Sequence, residues 1–120
     1  MYEEFNKYPE IREDFYENGQ KKSEIWYLNG ELHREDGPAY QFWYKNGQKQ
    51  YESWYLNNKR HREGGLAYQR WYENGQKKFE GWFLNDKRYT KEEWINELKE
   101  IGSEHYEEQK MLYDMEKYNI

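Results

Sequence analysis

The sequence predicts a mainly β protein, an elongated antiparallel meander of three 28-residue repeats that ends in a C-terminal α-helical cap. Two markers recur at the same interval: Asn-Gly-Gln begins at Asn18, Asn46 and Asn74, and aromatic-Leu-Asn begins at Tyr27, Tyr55 and Phe83. Markers that share one period indicate a repeat array. The composition agrees, because 21% of the residues are aromatic and none is valine, which suits a thin sheet better than an aliphatic core.

The charge is distributed unevenly along the chain. Residues 1–90 carry equal numbers of acidic and basic side chains, so the net charge of −5 belongs to residues 91–120. A protein that binds double-stranded nucleic acid usually has a net basic domain, and this one does not. The sequence therefore predicts repeats of balanced charge followed by an acidic tail.

The chain has no cysteine, which excludes disulfides and thiolate metal sites. Its N-terminus lacks the apolar run of a secretory signal, and no stretch is long and apolar enough to span a bilayer. We expect a cytoplasmic protein without a membrane span, in the host cytoplasm if it is viral.

The elements follow in order from turn signals. Residues 1–10 are a lead-in whose Tyr2, Phe5 and Tyr8 cover the open end of the array. Asn18-Gly19 predicts a two-residue hairpin turn with positive φ at both positions, and Asn29-Gly30 predicts a second turn of the same kind. Residues 21–28 between them form a strand, and residues 31–45 run back with a bend at Gly37-Pro38. Residues 49–56 and 77–84 repeat the first strand, so the array occupies residues 11–90.

Alternation assigns side chains to two faces, both of them aromatic. One face carries Glu24, Trp26 and Leu28 with their equivalents, and the other carries Ser23, Ile25 and Tyr27 with theirs. The returning strands place Phe15, Trp43 and Trp71 on one face and Tyr16, Tyr44 and Tyr72 on the other. Alternation alone does not decide which face is free.

The period ends after Asp86, and helical signals follow. Thr90-Lys91-Glu92-Glu93 reads as a capping box, with Thr90 at the N-cap. Trp94, Ile95, Leu98 and Ile101 then recur at helical spacing, Gly102-Ser103 interrupts them, and a second helix covers residues 104–118. We expect these helices to fold back over the last repeat or over one sheet face, and so to cover an edge strand.

The segments Trp26-Tyr27-Leu28-Asn29-Gly30 and Leu32-His33-Arg34-Glu35-Asp36-Gly37-Pro38-Ala39 carry a family resemblance. They resemble a long variant of the MORN repeat, which occurs in bacterial antitoxin components and in viral proteins, over residues 11–88. The resemblance implies a non-catalytic array that binds proteins, dimerises or associates with lipid. Glu35 and Glu63 depart from the ordinary repeat, in which glycine follows His-x.

The aromatic ladders are the main candidates for a binding surface, because exposed aromatic patches commonly mark interaction sites. A second candidate is a set of basic rows beside them, which would hold an anionic nucleotide or a lipid headgroup. In the alternative interpretation, the aromatic residues form the core of the sheet, and the basic residues pair with glutamates. The ladder residues are Trp26, Trp43, Trp54, Trp71, Trp82, Tyr44 and Tyr72. The basic rows comprise Lys21, Lys49, Lys77, Lys22, Lys78, Arg34, Arg60, Arg62 and Arg88, of which Lys21, Lys49, Lys77, Arg34 and Arg62 are the leading candidates.

Two chemical sites are less favoured by the pattern. His33 and His61 recur too far apart to share a metal ion, so we predict that each histidine bonds to the backbone of a turn. Glu24, Glu52 and Glu80 resemble paired glycosidase carboxylates, but a ladder made by repetition is better explained as partners for Lys and Arg. We expect no catalytic residue, no metal and no cofactor.

The sequence therefore predicts a non-enzymatic protein-binding module, an inhibitor or antitoxin that masks a partner through an aromatic sheet face. One alternative is a binder that sequesters an anionic nucleotide or lipid headgroup. The other is a scaffold that associates with itself into homo-oligomers.

Overall fold

The computed structural model describes residues 8–119 and confirms the predicted fold. One antiparallel sheet follows the order β1-β2-β4-β5-β8-β9-β10, with β3 paired to β2 and a separate β6-β7 ribbon. The strands are β1 Glu10–Phe15, β2 Lys21–Leu28, β3 Glu31–Leu32, β4 Tyr40–Trp43, β5 Lys49–Ser53, β6 Tyr55–Leu56, β7 Lys59–Arg60, β8 Tyr68–Trp71, β9 Lys77–Leu84 and β10 Lys87–Tyr89. The molecule is a thin plate of 51 × 47 × 19 Å. The predicted covering of the open end falls mostly on residues 1–7, outside the described residues.

The two kinds of turn differ, and the prediction is right for only one of them. Asn29-Gly30, Asn57-Asn58 and Asn85-Asp86 have positive φ at both positions, as a two-residue primed turn requires. In the Asn-Gly-Gln turns only the glycines have positive φ, from 85° to 90°. There the Gly19 N–H donates to Tyr16 and the Tyr16 N–H donates to Gln20, which makes a three-residue loop with a bulge at glycine.

The long strands are less regular than alternation predicts. Tyr51 pairs with Phe42, but Lys49 pairs with Trp43, so Gln50 is an extra residue in a bulge. Residues three apart in a regular strand lie on opposite faces, and the bulge instead brings Lys49 to the face of Glu52. The predicted strand of residues 49–56 is also interrupted at Trp54, whose N–H donates to Ala67.

Hydrogen bonds join each repeat to the next beside the Asn-Gly-Gln turns. The Tyr16 hydroxyl donates to the Trp43 carbonyl at 2.7 Å, and the Asn18 amide donates to the Lys45 carbonyl at 3.2 Å. The next repeat copies both bonds with Tyr44 and Asn46. These bonds explain why tyrosine and asparagine recur at fixed positions beside the turns.

The two predicted helices are α1 Lys91–Glu100 and α2 Tyr106–Tyr118, and α1 begins at the predicted capping box of Thr90 and Glu93. The first helix packs on β9 and β10, where Trp94, Ile95 and Leu98 bury Leu84. This confirms that the tail folds back over the last repeat. Ile101, expected to be part of the apolar stripe, is the C-cap and is exposed. Neither described helix is long and apolar enough to cross a membrane.

Candidate functional site

One sheet face carries the tryptophan ladder, and each of its three repeating tryptophans is covered. The Arg34 guanidinium stacks 4.0 Å from the centroid of the Trp26 ring, and Arg62 stacks 3.8 Å from that of Trp54. A Cβ on Gly37 would lie 2.6 Å from the Arg34 guanidinium carbon, so glycine there lets the arginine close over the ring. These tryptophans are half-buried and act as core.

The third ladder position has no equivalent arginine, because Thr90 stands where the repeat would place it. The helix α1 supplies Trp94 instead, with its ring centroid 4.5 Å from that of Trp82. The Trp94 indole N–H donates to the Arg62 carbonyl at 3.0 Å. The tail therefore completes the pattern that the repeats begin.

The remaining ladder residues also have partners. The ammonium group of Lys49 lies 5.4 Å from the ring centroid of Trp43, and that of Lys77 lies 5.9 Å from that of Trp71. Tyr44 donates its hydroxyl hydrogen to the Trp71 carbonyl, whereas Tyr72 is exposed.

The basic residues on this face lie in a continuous polar network across the strands. Lys49 donates to Gln41 at 2.9 Å and to Glu52 at 3.0 Å, and Gln69 donates to the other oxygen of Glu52 at 2.7 Å. The same contacts recur one repeat on at Lys77 and Glu80, and Lys21 pairs with Glu13 and Glu24. Lys21, Lys49, Lys77 and Arg34 are thus neutralised by carboxylates, and Arg62 donates to the Leu66 carbonyl.

Both repeat histidines bond to the backbone of the next turn, as predicted. Nδ1 of His33 accepts from the Asn57 N–H, and Nδ1 of His61 accepts from the Asn85 N–H, each at 3.0 Å. His61 therefore carries its proton on Nε2, which lies 3.0 Å from Glu63. Within residues 8–119, no three side chains of the metal-binding types are arranged to hold an ion.

Glu63 connects the array to the segment between the helices. Burial raises the pKa of its carboxyl group, but hydrogen bonds from Ser103 and His61 and the nearby His105 outweigh burial, so the net shift is downward. A carboxylate whose pKa falls on folding stabilises the native state above its unfolded pKa. That contribution disappears as the pH falls through the lower, folded value.

We expect Glu63→Gln to lower the free energy of unfolding at pH 6–8 by an amount that shrinks as the pH falls below about 4.5, the ordinary pKa of a glutamate side chain. Urea unfolding of both proteins over this pH range measures the difference. Glu35→Gln is the matched control, because its carboxylate lies farther from its histidine, at 3.7 Å, and is largely exposed. A difference that stays constant down to pH 3 would contradict the assignment.

The opposite face, which the helices leave open, contains the candidate site. A hollow of about 550 Å³ lies between β5, β8 and β9 and the ends of β7 and β10. We name it the arginine–aromatic face. Its lining residues are Tyr51, Arg60, Tyr68, Arg70, Phe79, Phe83 and Arg88.

Its three arginines differ in how they are held. The Arg60 guanidinium donates to the Ser53 hydroxyl at 2.8 Å and to the Tyr55 hydroxyl at 3.0 Å, and stacks against Tyr68 and Phe83. Arg88 donates to the Glu80 carbonyl at 3.1 Å. The Arg70 guanidinium has only a ring contact, 5.7 Å from the centroid of Tyr51, and no hydrogen-bond partner among residues 8–119.

No carboxylate within the described range lies within 4 Å of these three guanidinium groups. This separates the face from the tryptophan side, where glutamates neutralise the lysines. Burial raises the pKa of the Tyr51 hydroxyl, and the bonds from Ser53 and Arg60 offset this only in part. Tyr51 therefore stays a neutral donor at physiological pH, and the face presents cations and hydrogen-bond donors to a ligand.

The sequence prediction did not single out Arg70, although a signal was present. Arg70 stands 28 residues after Phe42, which packs against Tyr40 and Tyr51 with centroid distances of 5.1 and 6.4 Å. Arg60 and Arg88 likewise follow Leu32 in the repeat. The first repeat has apolar residues at both positions, so the same fold already accommodates Phe where Arg70 stands and Leu where Arg88 stands.

Comparisons with protein-family models, with curated proteins and with solved structures found no match for this chain.

Proposed function

We propose that this protein is a non-enzymatic protein-binding module that binds its partner through the arginine–aromatic face. The observation that carries the proposal is the set of three guanidinium groups without carboxylate partners on an open aromatic surface. Arginine and tyrosine are enriched among the residues that dominate binding energy in protein interfaces. An inhibitor or antitoxin would use such a surface to mask a partner, and membership of the MORN family is part of the same proposal.

A second candidate function is the sequestration of a nucleotide. The hollow of about 550 Å³ has the size of small-molecule sites, with aromatic rings for a base and arginines for phosphates. Titration calorimetry with ADP tests it, and phosphate contacts would weaken steeply with added salt.

The experiment for protein binding is quantitative capture from the lysate of the protein's own host. We expect the wild type to retain a polypeptide from the lysate. The amount of this polypeptide that is recovered should fall at least tenfold with Arg70→Phe and with Arg88→Leu. These substitutions install the residues that the first repeat has at the same positions, Phe42 and Leu32, and so should preserve the fold. Arg12→Ser is the matched control, because Arg12 stacks on Tyr27 of the same face but already pairs with Glu10.

Equal capture by wild type and by both face variants would overturn the proposal. So would capture that Arg12→Ser abolishes as completely as Arg70→Phe, because loss of any surface arginine would then suffice. Far-ultraviolet circular dichroism of each variant checks that the sheet is intact.

A further inference from the structure

We propose that the arginine–aromatic face binds an extended acidic segment of its partner, with a carboxylate at every third residue. This inference rests on the proposed function and specifies the chemistry of the partner. It is carried by the charge of the face and by the spacing of the repeats.

The charge selects an acidic ligand of limited length. Three cations share one hollow, and no carboxylate of residues 8–119 lies within 4 Å of them. The chain as a whole carries a net charge of −5, and the other sheet face holds a row of glutamates. A long polyanion would meet this repulsive field, whereas a short acidic segment contacts only the local cations.

The spacing selects the conformation of that segment. Arg60 and Arg88 are equivalent positions in successive repeats, and hydrogen bonds between Arg60 and Asp86 hold the two turns side by side. Equivalent residues two strands apart are about 9.6 Å apart, from a strand spacing of about 4.8 Å. In a polyproline II helix, residues three apart lie on the same side at about 9.3 Å. Same-side residues of a β-strand recur at about 6.7 Å, which does not match.

The aromatic residues of this face repeat with the same step. Tyr40 is followed by Tyr68, Tyr51 by Phe79, and Tyr55 by Phe83. Edge-on contacts between Tyr51 and its neighbours Tyr40 and Tyr68 make a continuous aromatic floor across the strands. Aromatic-lined grooves are the surfaces that hold polyproline II segments in other proteins. Arg70, on β8 in the same hollow, supplies unused donors for the segment's carbonyl oxygens or for a further carboxylate.

Fluorescence polarisation with two synthetic peptides tests the inference on the full chain. One is a twelve-residue Glu-Pro-Pro repeat, and the other has the same composition with its four glutamates at positions 1, 3, 5 and 7, so that no two glutamates are three residues apart. We expect the repeating peptide to bind the wild type and Arg12→Ser at least tenfold more tightly than this control peptide, because the control has no pair of carboxylates on one side at about 9.3 Å. Arg88→Leu and Arg70→Phe should each weaken that binding tenfold or more.

Equal binding of the two peptides, or no binding of either, overturns the inference. A second outcome would overturn the inference and leave the proposed function standing. In it, Arg70→Phe no longer captures the host polypeptide, but the repeating peptide does not displace that polypeptide from the wild type. If light scattering finds a homodimer that Arg88→Leu dissociates, the face binds a second copy and the acidic segment is excluded as its occupant.

Discussion

Replacing Trp94 with alanine is expected to lower the free energy of unfolding by about 3–5 kcal/mol, the usual cost of truncating a buried tryptophan. Trp94 is fully buried, packs against Trp82 with the two rings tilted by 40°, and donates its indole N–H to the Arg62 carbonyl. The substitution leaves a cavity over Leu84 and removes the donor to that carbonyl. Few other side chains of so small a core are as large.

Urea unfolding followed by far-ultraviolet circular dichroism measures this loss. Ile101→Ala is the matched control from the end of the same helix, because Ile101 is exposed and its truncation should cost no more than about 0.5 kcal/mol. A loss below about 1 kcal/mol for Trp94→Ala would mean that the tail contributes little to the array. The predicted role of α1 as a cap would then be wrong.

The repeat architecture and the tail could be predicted because their signals are local. Asparagine and glycine in the turns, alternation along β2, and the capping box of Thr90 and Glu93 each act within a few residues. The period then places the elements in order without knowledge of long-range contacts. The histidine contacts followed from the same logic, since His61 faces the turn of the next repeat.

Two predicted details are wrong, the type of the Asn-Gly-Gln turns and the regular alternation of the strands that follow them. Both depend on which of two local hydrogen-bond patterns is formed. Asn18-Gly19 is compatible with a two-residue primed turn and with a three-residue loop, and the second is formed because Tyr16 pairs with Gln20. The resulting register places an extra residue in the following strand. That bulge moves Lys49 beside Glu52, which simple alternation cannot anticipate.

The candidate site was predicted only in part, for a different reason: the predicted basic rows contain Arg60 and Arg88 but not Arg70. The sequence prediction relied on the residues that the copies of the repeat share. The shared tryptophans Trp26, Trp54 and Trp82 are core residues, covered by Arg34, Arg62 and Trp94. The arginine–aromatic face depends on positions at which the copies differ, because Arg70 stands where the first repeat has Phe42, and Arg60 and Arg88 stand where it has Leu32. Whether that arginine finds an internal carboxylate is a question of long-range geometry, and only the structure answers it.

Replacing His61 with alanine is expected to lower the free energy of unfolding by about 1–3 kcal/mol, because two hydrogen bonds of about 0.5–1.5 kcal/mol each are lost. Nδ1 of His61 is the acceptor for the Asn85 N–H, and Nε2 lies 3.0 Å from Glu63. His33→Ala removes the same turn contact at a more exposed site and should cost less. His105→Ala, in the loop before α2, should cost less still.

A ring of similar size separates hydrogen bonding from packing at this position. His61→Phe keeps an aromatic ring but has no acceptor for the Asn85 N–H and no donor for Glu63. Because the two ring nitrogens make both of these hydrogen bonds, we expect His61→Phe to lose as much stability in urea unfolding as His61→Ala. Stability equal to that of the wild type in His61→Phe would show that ring packing, and not the hydrogen bond between repeats, fixes the turn at Asn85-Asp86.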